Sequence, residues 1–369
     1  MNFSYSPDFL RVSALLLVVA ASLPCAADDT QKDLEQVVTK AIRYLRTKGV
    51  AADGSYSRQA GIGVTALATT GLLRHGVPAD DPVVAKSLKH LEGFVQADGG
   101  IYESGTFYRN YETCLVVLCF KEANADGRYD AVIRKADGFV QGIQWGADEG
   151  ADESDLAYGG SGYGKHKRPD LSNTSFFVDA LRAAGHGEES EAMQRAVTFI
   201  SRCQNLETEH NTTPFAAKVE DGGFYYTVAA GGDSKSGKTA NGGLRSYGGM
   251  TYAGLKSMIY AGVKRDDPRV QAAVKWVRQH YDLSTNPGMG DAGLYYYYHI
   301  FAKALSALSV DKFTDARGQQ HDWQAELIET LAVRQQADGA WTNGNARWFE
   351  GDPNLATAYA LLALSYCRR

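Results

Sequence analysis

The strongest constraint on this 369-residue chain is that it repeats itself. Segments beginning at Thr65, Thr113, Thr174 and Thr251 each open an apolar helical pattern, and eleven residues on they reach Gly76, Asn124, Gly185 and Gly262. Gly and Asn readily take the left-handed conformation that ends a helix. Tyr298 to Ser309 fits the same frame without the glycine, and Thr357 opens a sixth copy. Between these segments lies a second unit. Asp81-Pro82 and Asp267-Pro268 set a capping carboxylate before a first-turn proline, predicting helices that include Val83 to Val95 and Arg269 to His280. A glycine turn with an aromatic follows, as in Asp53-Gly54-Ser55-Tyr56, Asp98-Gly99-Gly100-Ile101-Tyr102, Asp221-Gly222-Gly223-Phe224-Tyr225 and Asp338-Gly339-Ala340-Trp341. Gly160-Ser161-Gly162-Tyr163 and Gly293-Leu294-Tyr295 are looser copies. A helix pair with one apolar face cannot bury it alone, so neighbours must stack. Six pairs can close into a ring with one helix of each pair inside: an all-α fold, an α/α toroid, as a single domain over residues 28–369. An open superhelix of the tetratricopeptide kind is the alternative, but the period of about 45 to 70 residues is too long for it.

The first residues read as a targeting segment. Arg11 precedes an apolar run from Val12 to Leu23, then Pro24, Cys25, Ala26 and Ala27. This describes a secretory signal peptide over residues 1–27, cleaved after Ala27, and an exported, periplasmic or extracellular protein. The run is shorter than the roughly 20 residues a membrane span needs. Lipid attachment at Cys25 is a second reading, weakened by Pro24 where a small residue is wanted. The formal net charge of -5 survives cleavage, because Asp8 and Arg11 leave together. Mild acidity argues against nucleic acid and anionic lipid as partners. Cys114, Cys119 and Cys367 sit inside apolar helical runs and are expected as buried free thiols. Nothing fixes a pairing for these or Cys203, and no Cys-x-x-Cys spacing offers a zinc site. Gly232 to Thr239 matches a P-loop by letter, yet Ala240-Asn241-Gly242-Gly243 will not start the required helix, so nucleotide is not expected. Asn211-Thr212-Thr213 is a glycosylation sequon by letter, disfavoured by Pro214.

Gln335-Gln336-Ala337-Asp338-Gly339-Ala340-Trp341 contains Gln-x-x-x-Gly-x-Trp, and Gln96 to Gly100 with Tyr102 is a weaker copy. This resembles the repeat motif of the prenyltransferase and squalene cyclase repeat family, as does Tyr247-Gly248-Gly249-Met250-Thr251-Tyr252-Ala253-Gly254-Leu255. The resemblance covers nearly all of the chain beyond the signal peptide and implies a terpenoid cyclase-like toroid, with chemistry at the starts of the inner helices. It does not carry over the family's catalytic groups. Class II terpene cyclases have Asp-x-Asp-Asp-Thr where this chain has Asp170-Leu171-Ser172-Asn173-Thr174, so Ser172 stands in place of the proton donor. At the positions four and two before each threonine, where prenyltransferases place Asp-x-Cys, the chain has Gly61/Gly63, Arg109/Tyr111, Asp170/Ser172, Tyr247/Gly249, Leu294/Tyr296 and Pro353/Leu355. His299 falls one residue after its threonine position rather than one before it. The resemblance therefore implies neither a zinc site nor a cofactor, and a complement-type thioester motif is absent.

Candidate site residues follow from the repeat frame. Tyr298 or His299 either packs between helices or lines the pocket, acting in proton transfer or ligand stacking. Glu112 is either a favourable charge at a helix N-terminus or an acid, and Asp170 either a helix cap or an acid. Arg109, Tyr111, Asn173 and Tyr247 sit at inner-helix starts as candidate ligand contacts. Trp348 to Asn354 is a loop whose Trp348 and Asn354 are placed at the cavity mouth. The leading expectation is an exported toroid that binds, or also processes, an apolar or isoprenoid ligand, solvated by aromatic faces. A carbohydrate-active enzyme on the same scaffold and a noncatalytic interaction module binding a partner protein are the alternatives.

Overall fold

The computed structural model describes Met1 and residues 26–146, 150–164 and 168–368, with backbone alone for 26–29. The apolar run at 12–23 and Cys25 lie outside the described residues. Among the described residues the chain forms α1 (Ala26–Tyr44), α2 (Ile62–Arg74), α3 (Pro82–Glu92), α4 (Arg109–Glu122), α5 (Asp130–Gly142), α6 (Leu171–Ala184) and α7 (Glu191–Arg202). It continues with α8 (Ala216–Val219), α9 (Gly248–Tyr260), α10 (Pro268–Gln279), α11 (Leu294–Ala307), α12 (Trp323–Arg334) and α13 (Pro353–Leu364). One short antiparallel hairpin, β1 (Phe313–Thr314) and β2 (Gln320–His321), pairs Phe313 with His321.

Helix α2 packs on α4, α4 on α6, α6 on α9, α9 on α11, α11 on α13, and α13 returns to α2. This closes the inner ring. Outside it, α3 lies on α2, α5 between α4 and α6, α7 between α6 and α9, α10 on α9, and α1 and α12 on α13. Sequence pattern decides which helix goes where. In α2 every residue from Ile62 to Leu72 is buried, whereas in α3 burial is confined to Val84, Ser87, Leu88 and Leu91. A helix apolar all round belongs inside; one with a single apolar stripe belongs outside. As the sequence predicts, Asp81 and Asp267 cap α3 and α10 by accepting from Val83 N and Arg269 N, ahead of Pro82 and Pro268.

The repeated threonine is a structural clamp. Its Oγ1 accepts from the backbone N–H of the preceding glycine turn: Tyr56 to Thr65 at 3.0 Å, Ile101 to Thr113 at 2.9 Å, Ser161 to Thr174 at 3.0 Å. The same bond joins Phe224 to Thr251 at 3.0 Å and Trp341 to Thr357 at 3.1 Å. Each glycine turn is thereby stapled to its own inner helix. In the fifth copy Tyr298 replaces threonine, and its hydroxyl donates to Leu283 O at 2.7 Å. The turn there is therefore the 282–284 segment. Gly293, taken from sequence as part of a turn, instead caps α11 in left-handed conformation (φ 68°).

Ring closure uses the glutamine and glycine of the Gln-x-x-x-Gly-x-Trp motif. Gln335 Nε2 donates to Gly339 O at 3.0 Å and to Val37 O of α1 at 2.9 Å, joining last repeat to first. Gln144 and Gln204 make the same double bond to Gly159 and Ala192, and to Gly222 and Arg269. Gln96 does not: it donates to Phe94 and Tyr102 within its own turn. At Gly339 (φ 96°) a Cβ atom would lie 2.3 Å from Lys40 O, so only glycine lets the last turn seat on α1.

Two helix ends differ from expectation. Asn124 is not left-handed; its side chain accepts from Tyr129 N and donates to Asp130, and Gly127 (φ 76°) makes the turn. Ser309, where the frame lacks glycine, takes φ 48° itself. Cys114, Cys119, Cys203 and Cys367 are all buried free thiols.

Candidate functional site

The inner helices begin at one end of the ring, and a cavity of about 580 Å³ opens there. Position matters more than residue type in deciding what lines it. The residue two before the threonine position reaches the lining in five repeats: Tyr111, Ser172, Gly249, Tyr296 and Leu355. The residue two after the stapled turn position reaches it in four: Arg58, Glu103, Tyr163 and Tyr226. Tyr247, Met250, Phe176, Val64 and Tyr359 complete an aromatic and apolar wall. Ser172 Oγ lies 3.2 Å from the Tyr296 hydroxyl, and the Tyr111 and Tyr359 hydroxyls share a hydrogen bond. Burial pushes the Tyr111 phenol up to about 12.

Exposed aromatics rim the mouth. Phe107 and Tyr108 stand before α4, and Trp348 and Phe349 before α13. Trp348 and Phe349 both have left-handed backbone (φ 56° and 65°), which is costly for bulky side chains. The turn they make brings Glu350 under the start of α11. There Glu350 Oε1 accepts from Tyr296 N at 2.8 Å and Oε2 from Tyr295 N at 3.1 Å, with Asn343 Nδ2 at 2.8 Å. Glu112 does the same for α2, accepting from Ile62 N at 3.2 Å and from Glu103 N at 3.0 Å. Both glutamates are 1% exposed. Burial raises their carboxyl pKa values, and the backbone donors oppose the rise. Asn286 Oδ1 accepts from Gly249 N at α9, and Asp352 caps α13.

The sequence-derived candidates divide cleanly. Glu112, Tyr111, Tyr247 and Trp348 line the cavity. Asp170 sits behind the wall as the N-cap of α6, accepting from Asn173 N at 2.9 Å and Asn173 Nδ2 at 2.8 Å. Its carboxyl interacts with the Tyr226 phenol on the cavity wall, and burial pushes it up to about 6. Asn173 is occupied by this cap. Arg109 lies over the Tyr102 ring at 5.0 Å, and Asn354 donates to Gly49 O and Ser57 Oγ, neither on the lining. Of the four consecutive tyrosines only Tyr296 faces inward; Tyr297 and Tyr298 donate to Asp282 O and Leu283 O. His299 is buried behind Tyr359, 5.9 Å ring to ring, with Nδ1 unpartnered. Burial and nearby Lys303 hold its pKa well below the usual imidazole range. Two turns deeper along α6 than Ser172, Asp179 bonds Lys256 at 2.7 Å and Lys303 at 2.6 Å, tying three inner helices.

Glu350, Tyr226, Tyr163, Phe176 and Tyr359 escaped the sequence reading. The repeat frame held the signal for Tyr163 and Tyr226, two residues after the stapled turn. For Glu350 no local signal exists, because its partner helix lies 54 residues away. Among the described residues no group of three His, Cys, Asp or Glu side chains is arranged to hold a metal ion, and the Gly232–Thr239 segment is a loop with no helix following before α9.

Residues 64–229 match the squalene-hopene cyclase C-terminal domain family. No curated protein matches the chain in sequence. Among solved structures, a variant of the type II terpene cyclase MstE from Scytonema without ligand superposes with a TM-score of 0.56 at 12% identity, over 92% of this chain and 98% of that one. Another MstE variant, in complex with geranylgeranyl dihydroxybenzoate as substrate, gives 0.55 at 13%, over 92% and 99%. A glycosyl hydrolase family 88 protein from Bacteroides vulgatus gives 0.54 at 11%, over 91% and 98%. At such identities the likeness is one of fold. Residues 64–229, a little under half of the chain, carry that family match, and the chain as a whole shares the α/α toroid fold of these structures.

Proposed function

We propose that this protein binds an apolar, isoprenoid-like small molecule in the cavity at the inner-helix starts, outside the cytoplasm, without alkene-protonating chemistry. The observation that carries this is Ser172. It stands on the cavity wall where the resemblance calls for a carboxylic acid, hydrogen-bonded to another hydroxyl. Most of the acids near the cavity are committed elsewhere: Glu112 and Glu350 hold helix ends and Asp170 caps α6, while Glu103 stands on the lining. Beside these polar groups the wall is made of phenol faces, aliphatic side chains and a thioether, which favour burial of hydrocarbon. MstE, on the same fold, holds a geranylgeranyl compound. The test is solvent extraction and mass spectrometry of the purified full-length protein, followed by titration with geranylgeraniol. A stoichiometric lipid, or saturable uptake of the prenyl alcohol, supports the reading; recovery of neither overturns it.

A second reading has one specific observation in its favour. Tyr226 is a cavity phenol hydrogen-bonded to a buried carboxyl, and Lys235 Nζ lies 4.3 Å from its ring centroid. Burial and the nearby Asp170 carboxyl hold this phenol well above its usual range, so it stays protonated and can donate to a bound sugar oxygen but does not act as a base. Turnover of any oligosaccharide in a panel, lost in Tyr226→Phe, would establish a carbohydrate-active enzyme instead.

A further inference from the structure

Six helix N-termini converge on this cavity, and helix N-termini ordinarily make anion sites. At five of the six that capacity is taken up by a side chain; the start of α4 has no side-chain cap, and its Asn110 N–H donates to Tyr163 O. Glu112 occupies the start of α2, Asp170 that of α6, Asn286 that of α9, Glu350 that of α11 and Asp352 that of α13. Three carboxylates, Glu103, Glu112 and Glu350, stand on the lining itself. The lining cations among the described residues each have a carboxylate partner: Lys235 Nζ lies 2.6 Å from Asp233, which Arg168 also pairs at 3.3 Å, and Arg58, mostly exposed, lies 4.0 Å from Asp53. An anionic group entering the cavity meets acids whose helix dipoles are spent, and no described cation that lacks a carboxylate. A group that donates hydrogen bonds meets carboxylate oxygens, each with lone pairs beyond the one or two used by its backbone and amide donors.

We infer that the ligand of this cavity ends in a hydrogen-bond-donating head without negative charge, an alcohol or an amine, and that Glu112 and Glu350 exclude the corresponding carboxylates and diphosphates. This rests on the cavity being the ligand site. It separates free prenyl alcohols and amines from their activated diphosphate forms, which share the same chain and differ only in the head. Like charges a few ångströms apart in a poorly solvated pocket are separated by enough energy for a discrimination of about tenfold or more.

The experiment is a set of titrations of the full-length protein with geranylgeraniol, geranylgeranylamine, geranylgeranoic acid and geranylgeranyl diphosphate, read by calorimetry at neutral pH. The expected order is amine and alcohol at least about tenfold tighter than acid and diphosphate. In Glu112→Gln and Glu350→Gln, each checked for an unchanged circular dichroism spectrum, that gap narrows. Diphosphate or acid binding as tightly as the alcohol overturns the inference while leaving the cavity as the ligand site. If none of the four binds, the cavity reading falls and this inference falls with it.

Discussion

The hydroxyl of Tyr296 on α11 meets the hydroxyl of Ser172 on α6 at 3.2 Å, and both residues stand two positions before the threonine place of their own repeats. The ring's most chemically exposed position is thus filled by two groups too weakly acidic to protonate a carbon–carbon double bond. Burial moves Tyr296 further from ionisation. Incubation of the purified protein with squalene, or with a geranylgeranyl-substituted phenol, should return the compound uncyclised by gas chromatography and mass spectrometry. A cyclised product from the wild-type chain would show that another group donates the proton.

Asp170 makes stability depend on pH. Its folded pKa of about 6 lies above the unfolded value of roughly 3.9, so the protonated form is favoured on folding. That contribution is complete below about pH 4 and is lost as pH rises through about 6. Asp170→Asn keeps the cap, since Asn serves there as well as Asp. The variant minus wild-type stability should therefore grow by about 3 kcal/mol between pH 4 and pH 7. The comparison must be with the variant, because the imidazoles of His75 and His299, both with depressed pKa, titrate in the opposite sense over the same window. Denaturant melts at four pH values measure it; a flat difference would place Asp170 outside the buried cap.

Tyr298 is a staple, not a reactive group. Tyr298→Phe leaves the buried Leu283 carbonyl without its donor, a loss of roughly 1–3 kcal/mol. Thermal unfolding should register that loss while affinity for geranylgeraniol stays unchanged. A large fall in affinity with unaltered stability would return Tyr298 to the pocket.

Ring closure rests on one glycine. Gly339→Ala strains a left-handed residue by roughly 1–3 kcal/mol and also drives its methyl group against Lys40 O. Gly105→Ala is the control, because Gly105 (φ 87°) has open space about it and reports strain alone. The Gly339 variant should be clearly the less stable of the two in parallel melts. Equal melting temperatures would mean that the last turn does not seat on α1.

The closed fold was legible because it is written in a repeated code. A threonine recurs where a turn must be stapled to a helix, and a proline after aspartate starts the outer helices α3 and α10 and the inner helix α13. The same frame located the cavity end and placed Glu112, Tyr111 and Tyr247 on its wall. It misled where residue type was weighed above direction. Tyr298 and His299 look reactive by letter, but less than one turn beyond Tyr296 they point to the 282–284 turn and to Tyr359 of α13, and Tyr296 alone keeps the inward heading. Glu350 was hidden for a different reason. Its role comes from two residues in left-handed conformation that no propensity favours, and from a helix distant in sequence.

The central claim is that an apolar ligand sits among the inner-helix starts. Photo-crosslinking of the full-length protein with a diazirine-bearing geranylgeraniol analogue, followed by peptide mapping, tests it most directly. Labels are predicted on peptides holding Tyr111, Phe176, Tyr296 or Tyr359, and competed away by unlabelled alcohol. Labels confined to the outer helices, or insensitive to competitor, would contradict it.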